Sequence, residues 1–429
     1  MTFRCLDVGS TWTKGVVVSA DGAVLGVAQH RTTPPEVLDG IAAVTAALPA
    51  ASTVLACSSA GGGLRLAVVG QERLVSAEAG YRVALSAGAK VVHVSSGPLD
   101  PAAVRALRAA APDVVLLVGG TDGGDEKVLL HNASGLARAR LAVPIVLAGN
   151  AAARPAALSA LAGRRVIAAA NVLPDVGELA PEPARAAIRE VFLRHVIGGK
   201  GLSRGPRLRR LVRAVTPDAV LSGVSRLAGV LAAREDRPGA VLVVDVGGAT
   251  TDVYSAVSTV ESTVESEEHA VALPPDRRTV EGDLGMRVSA PGVVAEARVE
   301  RLIDPGHLAA EAARRHEHVD LVPSTQDEHE VDLALAGLAV VLAVRRHLRM
   351  VDGRLGPRGA GVLVLSGGVF RHATDLTDLE AGLRRHLGPV LRDAEVLVDR
   401  QGLLGPAGLL TQAGHPDTAD AVLGAHFIV

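Results

Sequence analysis

The sequence predicts an α/β protein of two related lobes with an inserted parallel α/β domain, and three observations carry that expectation. A chain of 429 residues with a 48% hydrophobic share holds enough apolar material for several domains with large cores. An acidic turn recurs, DVGSTWTK at 7–14 and DVGGATTD at 245–252, each copy following one apolar strand and preceding another. Between the copies, short apolar runs alternate with helix-like stretches, the pattern of a parallel sheet with right-handed crossovers.

Taken in order, the elements divide the chain into three. The opening reads as an antiparallel start, with strands at Phe3 to Val8, Gly15 to Ser19 and Ala23 to Gln29 and a hairpin signal at Asp21-Gly22. Residues 1–85 are assigned to the first lobe. The runs Val91 to Val94, Val114 to Val118, Ile145 to Leu147 and Val166 to Ala169 are the strands of the inserted domain, 86–195. Residues 196–429 hold connecting helices and the second lobe, with strands at Ala240 to Val244, Val253 to Val257, Ala270 to Leu273, Gly361 to Leu365 and Glu395 to Val398. The acidic stretch Ser258 to Glu268 reads as a solvated hairpin tip, and 313–330 as a polar surface loop. The dense apolar run Val331 to Val344 is too short to span a bilayer and reads as a buried helix.

Composition excludes several classes. Lys plus Arg is 44 against 46 for Asp plus Glu, so a net charge of −2 leaves no global footprint for nucleic acid or an anionic membrane. Two cysteines, Cys5 and Cys57, supply neither a disulfide framework nor a self-contained zinc or iron–sulfur site. With no signal-peptide pattern at the N-terminus, the expected location is cytoplasmic.

The chemistry is expected at the two turns. Gly9 and Gly247 let backbone N–H groups approach an anion, and Ser10, Thr11, Thr13, Thr250 and Thr251 add hydroxyl donors. Asp7 and Asp245, the candidate catalytic residues and metal ligands, are expected to face each other around one magnesium ion that keeps much of its hydration shell. Gly248 and Asp252 complete the second turn, and Lys14 offers the phosphates a point charge. A single Asp-Val-Gly is equally a plain strand-ending turn; its repetition in matching context argues for polyphosphate. Neither a P-loop nor a Rossmann glycine pattern occurs at a strand-to-helix junction. In VLVLSGGVF at 362–370, Ser366, Gly367 and Gly368 leave backbone bare for a flat ligand.

In that order the three motifs resemble the actin, Hsp70 and sugar-kinase superfamily: DVGSTWTK its first phosphate motif, DVGGATTD its second, LSGGVF its adenosine motif. The resemblance implies two RNase H-like lobes that close on Mg-ATP. Longer strings, CSSAGGGLRLAVVG at 57–70, LLVGGTDGGD at 116–125, VEGDLGMR at 280–287 and GLLGPAGLL at 402–410, narrow it to the family of glutamate mutase activator proteins called MutL or GlmL. What this implies is an accessory, slow magnesium-dependent ATPase, a reactivase or chaperone that exchanges damaged cobalamin in an adenosylcobalamin-dependent amino-acid mutase. Its partners are then mutase subunits and ATP or ADP, with no nucleic acid and no membrane; a homodimer stays open. Two competing readings also stand, a metabolite kinase of the same fold and an actin-like polymer. Asp252 and Asp283 are lesser candidates for orienting an attacking water. The Thr121 to Asp125 segment is either a glycine-rich connection or a contact for the mutase or its cofactor, and Glu281 to Gly285 either a plain strand-to-helix turn with Asp capping or an approach to the nucleotide.

Overall fold

The computed structural model describes residues 1–60, 64–73, 75–87, 89–192, 202–203, 206–233, 240–257, 276–303, 308–350, 355 and 359–428. The expected hairpin tip at 258–268 and strand at 270–273 lie outside these, as do the three glycines at 61–63. Contacts group the chain into two compact units, the first mainly 1–219 and the second mainly 220–429.

The first unit holds two sheets. One comprises β1 (Thr2–Val8), β2 (Trp12–Ser19), β3 (Val24–Arg31), β4 (Thr53–Ser58) and β10 (Val212–Val215), in the spatial order β10-β4-β1-β2-β3. β1 and β2 pair antiparallel, as do β2 and β3, whereas β4 runs parallel to both β1 and β10. The other sheet is parallel throughout: β5 (Arg65–Gly70), β6 (Lys90–Ser96), β7 (Val114–Leu117), β8 (Ile145–Leu147) and β9 (Val166–Ala168), ordered β6-β5-β7-β8-β9. Both faces of this sheet are covered. Along β5, Leu66 and Val68 enter one apolar cluster while Ala67 and Val69 enter another on the opposite side.

The inserted sheet therefore shares a core with the first one, since Leu6, Val8 and Val17 lie in the same cluster as Leu66, Val68 and Leu116. Two strands fall on other sides of the expected boundaries. β5 lies within 1–85 yet pairs in the parallel sheet, and β10 lies within 196–429 yet completes the first sheet. A buried apolar run gives no hint of which sheet it joins, because both environments demand the same residues.

The second unit repeats the first sheet. β11 (Ala240–Val246), β12 (Thr251–Val257), β13 (Asp276–Glu281), β14 (Val362–Ser366) and β15 (Glu395–Val398) are ordered β13-β12-β11-β14-β15. Numbered from its own first strand, each sheet reads 3-2-1-4-5, with the first two strands antiparallel and the fourth parallel to the first. The fold is thus α/β, two lobes of the same RNase H-like strand order with an inserted parallel sheet.

The apolar run at 331–344 is indeed a buried helix, extended to Gln326–Met350. The segment read as a polar loop is one only over 318–325: a helix spans Leu308–Glu317 and the next begins at Gln326. Its charge misled the reading because Arg315, fully buried, donates to Asp332 at 2.6 Å and to Glu311 at 2.5 Å. No described helix is long and apolar enough to cross a membrane.

Candidate functional site

The two acidic turns are built alike. In the first, Asp7 pairs across the antiparallel ladder with Lys14 and, on its other side, with Cys57 of β4. In the second, Asp245 pairs with Asp252 and with Ser366 of β14. The Gly9 N–H donates to the Trp12 carbonyl at 3.0 Å, and the Gly247 N–H to the Thr250 carbonyl at 2.9 Å. Both glycine amides are thus consumed closing the turns, which leaves the exposed tips Ser10-Thr11 and Gly248-Ala249 to meet a ligand. Both turns sit at the carboxyl ends of parallel neighbours, where open α/β sheets bind ligands.

What braces each turn differs. At the first, Thr32 from the end of β3 donates its hydroxyl to the Gly9 carbonyl at 2.8 Å and its N–H to the Thr11 carbonyl at 2.9 Å. Its one hydroxyl proton being spent, the buried Thr13 hydroxyl donates to the Thr32 oxygen across 3.1 Å. Arg31 stacks its guanidinium 5.4 Å from the centre of the Trp12 ring. Asp7 receives the Thr216 hydroxyl at 2.5 Å on Oδ1, and the one proton of the Cys57 thiol is shared between that oxygen at 3.6 Å and the Leu6 carbonyl at 3.7 Å. Burial, and then the Asp7 charge, push the Cys57 thiol well above its usual range, so it stays a protonated donor.

At the second turn the VEGDLGMR string does the bracing. The Met286 N–H donates to the Gly247 carbonyl at 2.9 Å, and the Arg287 and Val288 N–H groups to the Gly248 carbonyl at 2.8 and 2.9 Å. Ser289 donates its hydroxyl to Ala249 at 2.8 Å, and the buried Thr251 donates to the Leu284 carbonyl at 2.5 Å. A side chain at Gly285 would sit 2.4 Å from the Ala249 backbone, so only glycine permits this approach. The segment Glu281 to Gly285 is therefore the strap over the second turn. Asp283 itself is held by Arg346 at 2.8 Å, which also pairs with Glu281 at 2.8 Å.

Charge is arranged unlike in the first turn. Asp252 accepts from Arg278 Nε at 2.9 Å, and the Thr250 hydroxyl lies 3.4 Å from its other oxygen. Burial raises the Asp252 carboxyl; Arg278 opposes this and the neighbouring Asp245 adds to it. Arg278 in turn stacks 5.6 Å from the Tyr254 ring centre. Among the described residues none donates a hydrogen bond to the Asp245 carboxylate, which is half-buried.

Ser366, Gly367 and Gly368 end β14 beside the Asp245 turn. Gly367 has φ +121°, and a Cβ there would lie 2.4 Å from the Val246 carbonyl oxygen, so this corner requires glycine twice over. Gly368 is exposed with nothing within 4 Å of a would-be Cβ, which leaves an open floor for a planar group.

Sequence reasoning missed Thr216, Cys57, Thr32 and Arg278 as parts of these turns. Thr216 stands 209 positions from Asp7, and nothing local marks a contact of that span. Thr13 and Thr251, expected to donate outward, are the first inward positions of their strands and spend their hydroxyls inside. Gly123 and Gly124 of the Thr121 to Asp125 loop are held by the buried Asn150 at 3.0 Å each, and Asn171 binds Asp122 at 2.9 Å. Those contacts make it a hydrogen-bonded rim at the end of β7.

Comparison with known proteins gives a consistent answer. Residues 3–427 match the family described as MutL protein. The chain is 32% identical over 461 aligned positions to Protein MutL of Clostridium tetanomorphum, covering 99% of each. Among solved structures, nucleotide-free acetone carboxylase is similar at 15% identity and TM-score 0.39, over 95% of this chain and 69% of that one. A ROK family glucokinase from Streptomyces griseus, in complex with glucose and AMPPNP, is similar at 13% and TM-score 0.36, over 96% and 99%. Xylulose kinase from Rhodospirillum rubrum is similar at 15% and TM-score 0.33, over 99% and 92%. With a whole-length family match and a curated relative alike from end to end, the chain belongs to the MutL family.

Proposed function

We propose that this chain is an ATP-dependent reactivating factor, chaperone-like in action, for an adenosylcobalamin-dependent amino-acid mutase of the glutamate mutase type. The observation that carries the reading is the duplicated turn, alike in sheet order, strand register and closing hydrogen bond, in a chain of the MutL family.

On this reading Asp7 and Asp245 serve one magnesium-bound ATP. The donor set suits that ion: each turn ends its strand on one carboxylate, and a hard cation that keeps several of its waters would need only one or two such oxygens beside the phosphates. Bound there, magnesium would neutralise charge on the transferring phosphoryl group. Ser10, Thr11 and the tip amides of both turns cradle the phosphates, Lys14 adds a point charge, and Thr13 and Thr251 stiffen the turns from beneath. Thr250, Gly248 and Asp252 hold the second turn in shape. Ser366, Gly367 and Gly368 carry the adenosine. ATP favours a closed arrangement of the units, hydrolysis removes the γ-phosphate contacts, and a mutase with unequal affinity for the two states is released.

The test is ATP turnover measured alone, with mutase subunits carrying intact or damaged cobalamin, and with a panel of small hydroxy and carboxylic acids. Slow basal hydrolysis that responds to the mutase supports the reading. Acceleration by one small acceptor, with none by the mutase, overturns it in favour of a kinase.

A further inference from the structure

Asp7 carries hydrogen bonds on one oxygen from two different elements, and the geometry behind them is specific. Ala214 of β10 pairs with Cys57 of β4, which pairs with Asp7 of β1, so three residues stand in a row across three strands. Thr216 follows β10 by one residue and its hydroxyl reaches over β4 to Asp7 Oδ1 at 2.5 Å. Strands lie about 4.8 Å apart, so the reach crosses nearly two spacings. Only a short side chain in the middle leaves it open, and Cys57 is both short and fully buried.

Thr216 is itself anchored. It begins the helix Thr216–Ala232, whose first turn carries Asp218, a buried carboxylate that accepts from Arg189 at 2.6 Å. Arg189 belongs to the helix Glu182–Val191, which follows the parallel sheet. The terminal torsion of an aspartate is sp³–sp² and broad, with no staggered wells of its own to fix the carboxylate plane. Donors must fix it.

We infer that Thr216 is the positioning residue of Asp7: its anchored hydroxyl, reaching over Cys57, sets the direction in which the carboxylate presents its oxygens to a hydrated cation. This rests on the nucleotide reading above. It assigns to the start of a helix in the first unit a part in metal-dependent binding that acts through the Asp7 carboxylate.

The experiment is calorimetric titration of ATP with magnesium and with EDTA, for the wild-type chain and for Thr216→Val, Thr216→Ser and Asp7→Ala. Thr216→Val keeps shape and removes the donor; the magnesium-dependent gain in affinity is expected to fall about tenfold or more, as for loss of a hydrogen bond to a charged group. Affinity in EDTA should not change. Thr216→Ser restores the donor and should regain the magnesium gain, which a purely structural role in packing the threonine methyl would not produce. A Thr216→Val chain that fails to fold is replaced by Arg189→Met, which frees the anchor and should lower the same gain by a smaller factor. If the gain survives in Thr216→Val but is lost in Asp7→Ala, the positioning role is overturned and the nucleotide reading stands. If it survives in Asp7→Ala as well, the nucleotide reading fails and this inference with it.

Discussion

The two turns share a backbone and differ in what surrounds it. Around Asp7 the supports are neutral hydroxyls and a thiol: Thr216, Cys57, Thr32 and Thr13. Around Asp245 the supports are a backbone strap through Gly285 and an ion pair, Arg278 on Asp252, one rung across the ladder. The first carboxylate is tethered, whereas the second receives no donor among the described residues and stands beside an Asp252 paired with Arg278. A duplicated sheet fixes where an acidic group stands, while each copy is free to solve separately how to brace it.

The largest expected effect separates a common role from a divided one. Asp7→Ala and Asp245→Ala should each abolish magnesium-dependent ATP binding while leaving the fold intact by circular dichroism. Calorimetry that shows one variant with intact affinity breaks the equivalence of the two turns.

Arg278→Met comes next, and it sharpens the contrast because only the second turn depends on an ion pair. Leaving Asp252 buried without its partner should cost about 3–5 kcal/mol in urea unfolding. The sign with pH follows from the direction of the shift. Burial raises Asp252 in the folded chain above its unfolded value, so its contribution is complete below the unfolded carboxylate range and is lost as pH rises through the folded value. Removing Arg278 moves that folded value further up, so the variant should lose stability more steeply between acid and neutral pH than the wild type. Parallel pH profiles would count against the pairing.

Thr32→Val is expected to have the smallest effect, about 1–3 kcal/mol, through the Thr13 hydroxyl left buried without its acceptor and the Gly9 carbonyl without its donor. Stability should fall with little pH dependence, in contrast with Arg278→Met. A pH-dependent loss would mean that the first turn also leans on charge.

Much of this frame is legible in the chain itself. Both acidic turns, the strands on each side of them and the glycine corner at Ser366 to Gly368 follow from local spacing, because a strand-ending turn is specified by residues a few positions apart. Thr216 on Asp7 and Gly285 on Ala249 are not legible in that way, since long-range contacts leave no periodic trace. The buried Arg315 with Glu311 and Asp332 shows the converse problem: charges that satisfy one another inside look in sequence like a solvated loop. The parallel sheet was recognisable from its apolar runs, yet β5 and β10 needed the fold to say which sheet each completes.

The first sheet also holds a chemical reporter. Its two thiols lie on β1 and β4, both sealed from solvent, with Cys5 pushed up to about 12 by burial and Cys57 raised as well. Reactivity toward an alkylating reagent belongs to the thiolate, so neither sulfur reacts until the packing over its face of the sheet opens. The chain thus carries its own clock for opening of the first sheet: the rate of maleimide capture reads how often its faces are uncovered, and whether a bound partner slows it.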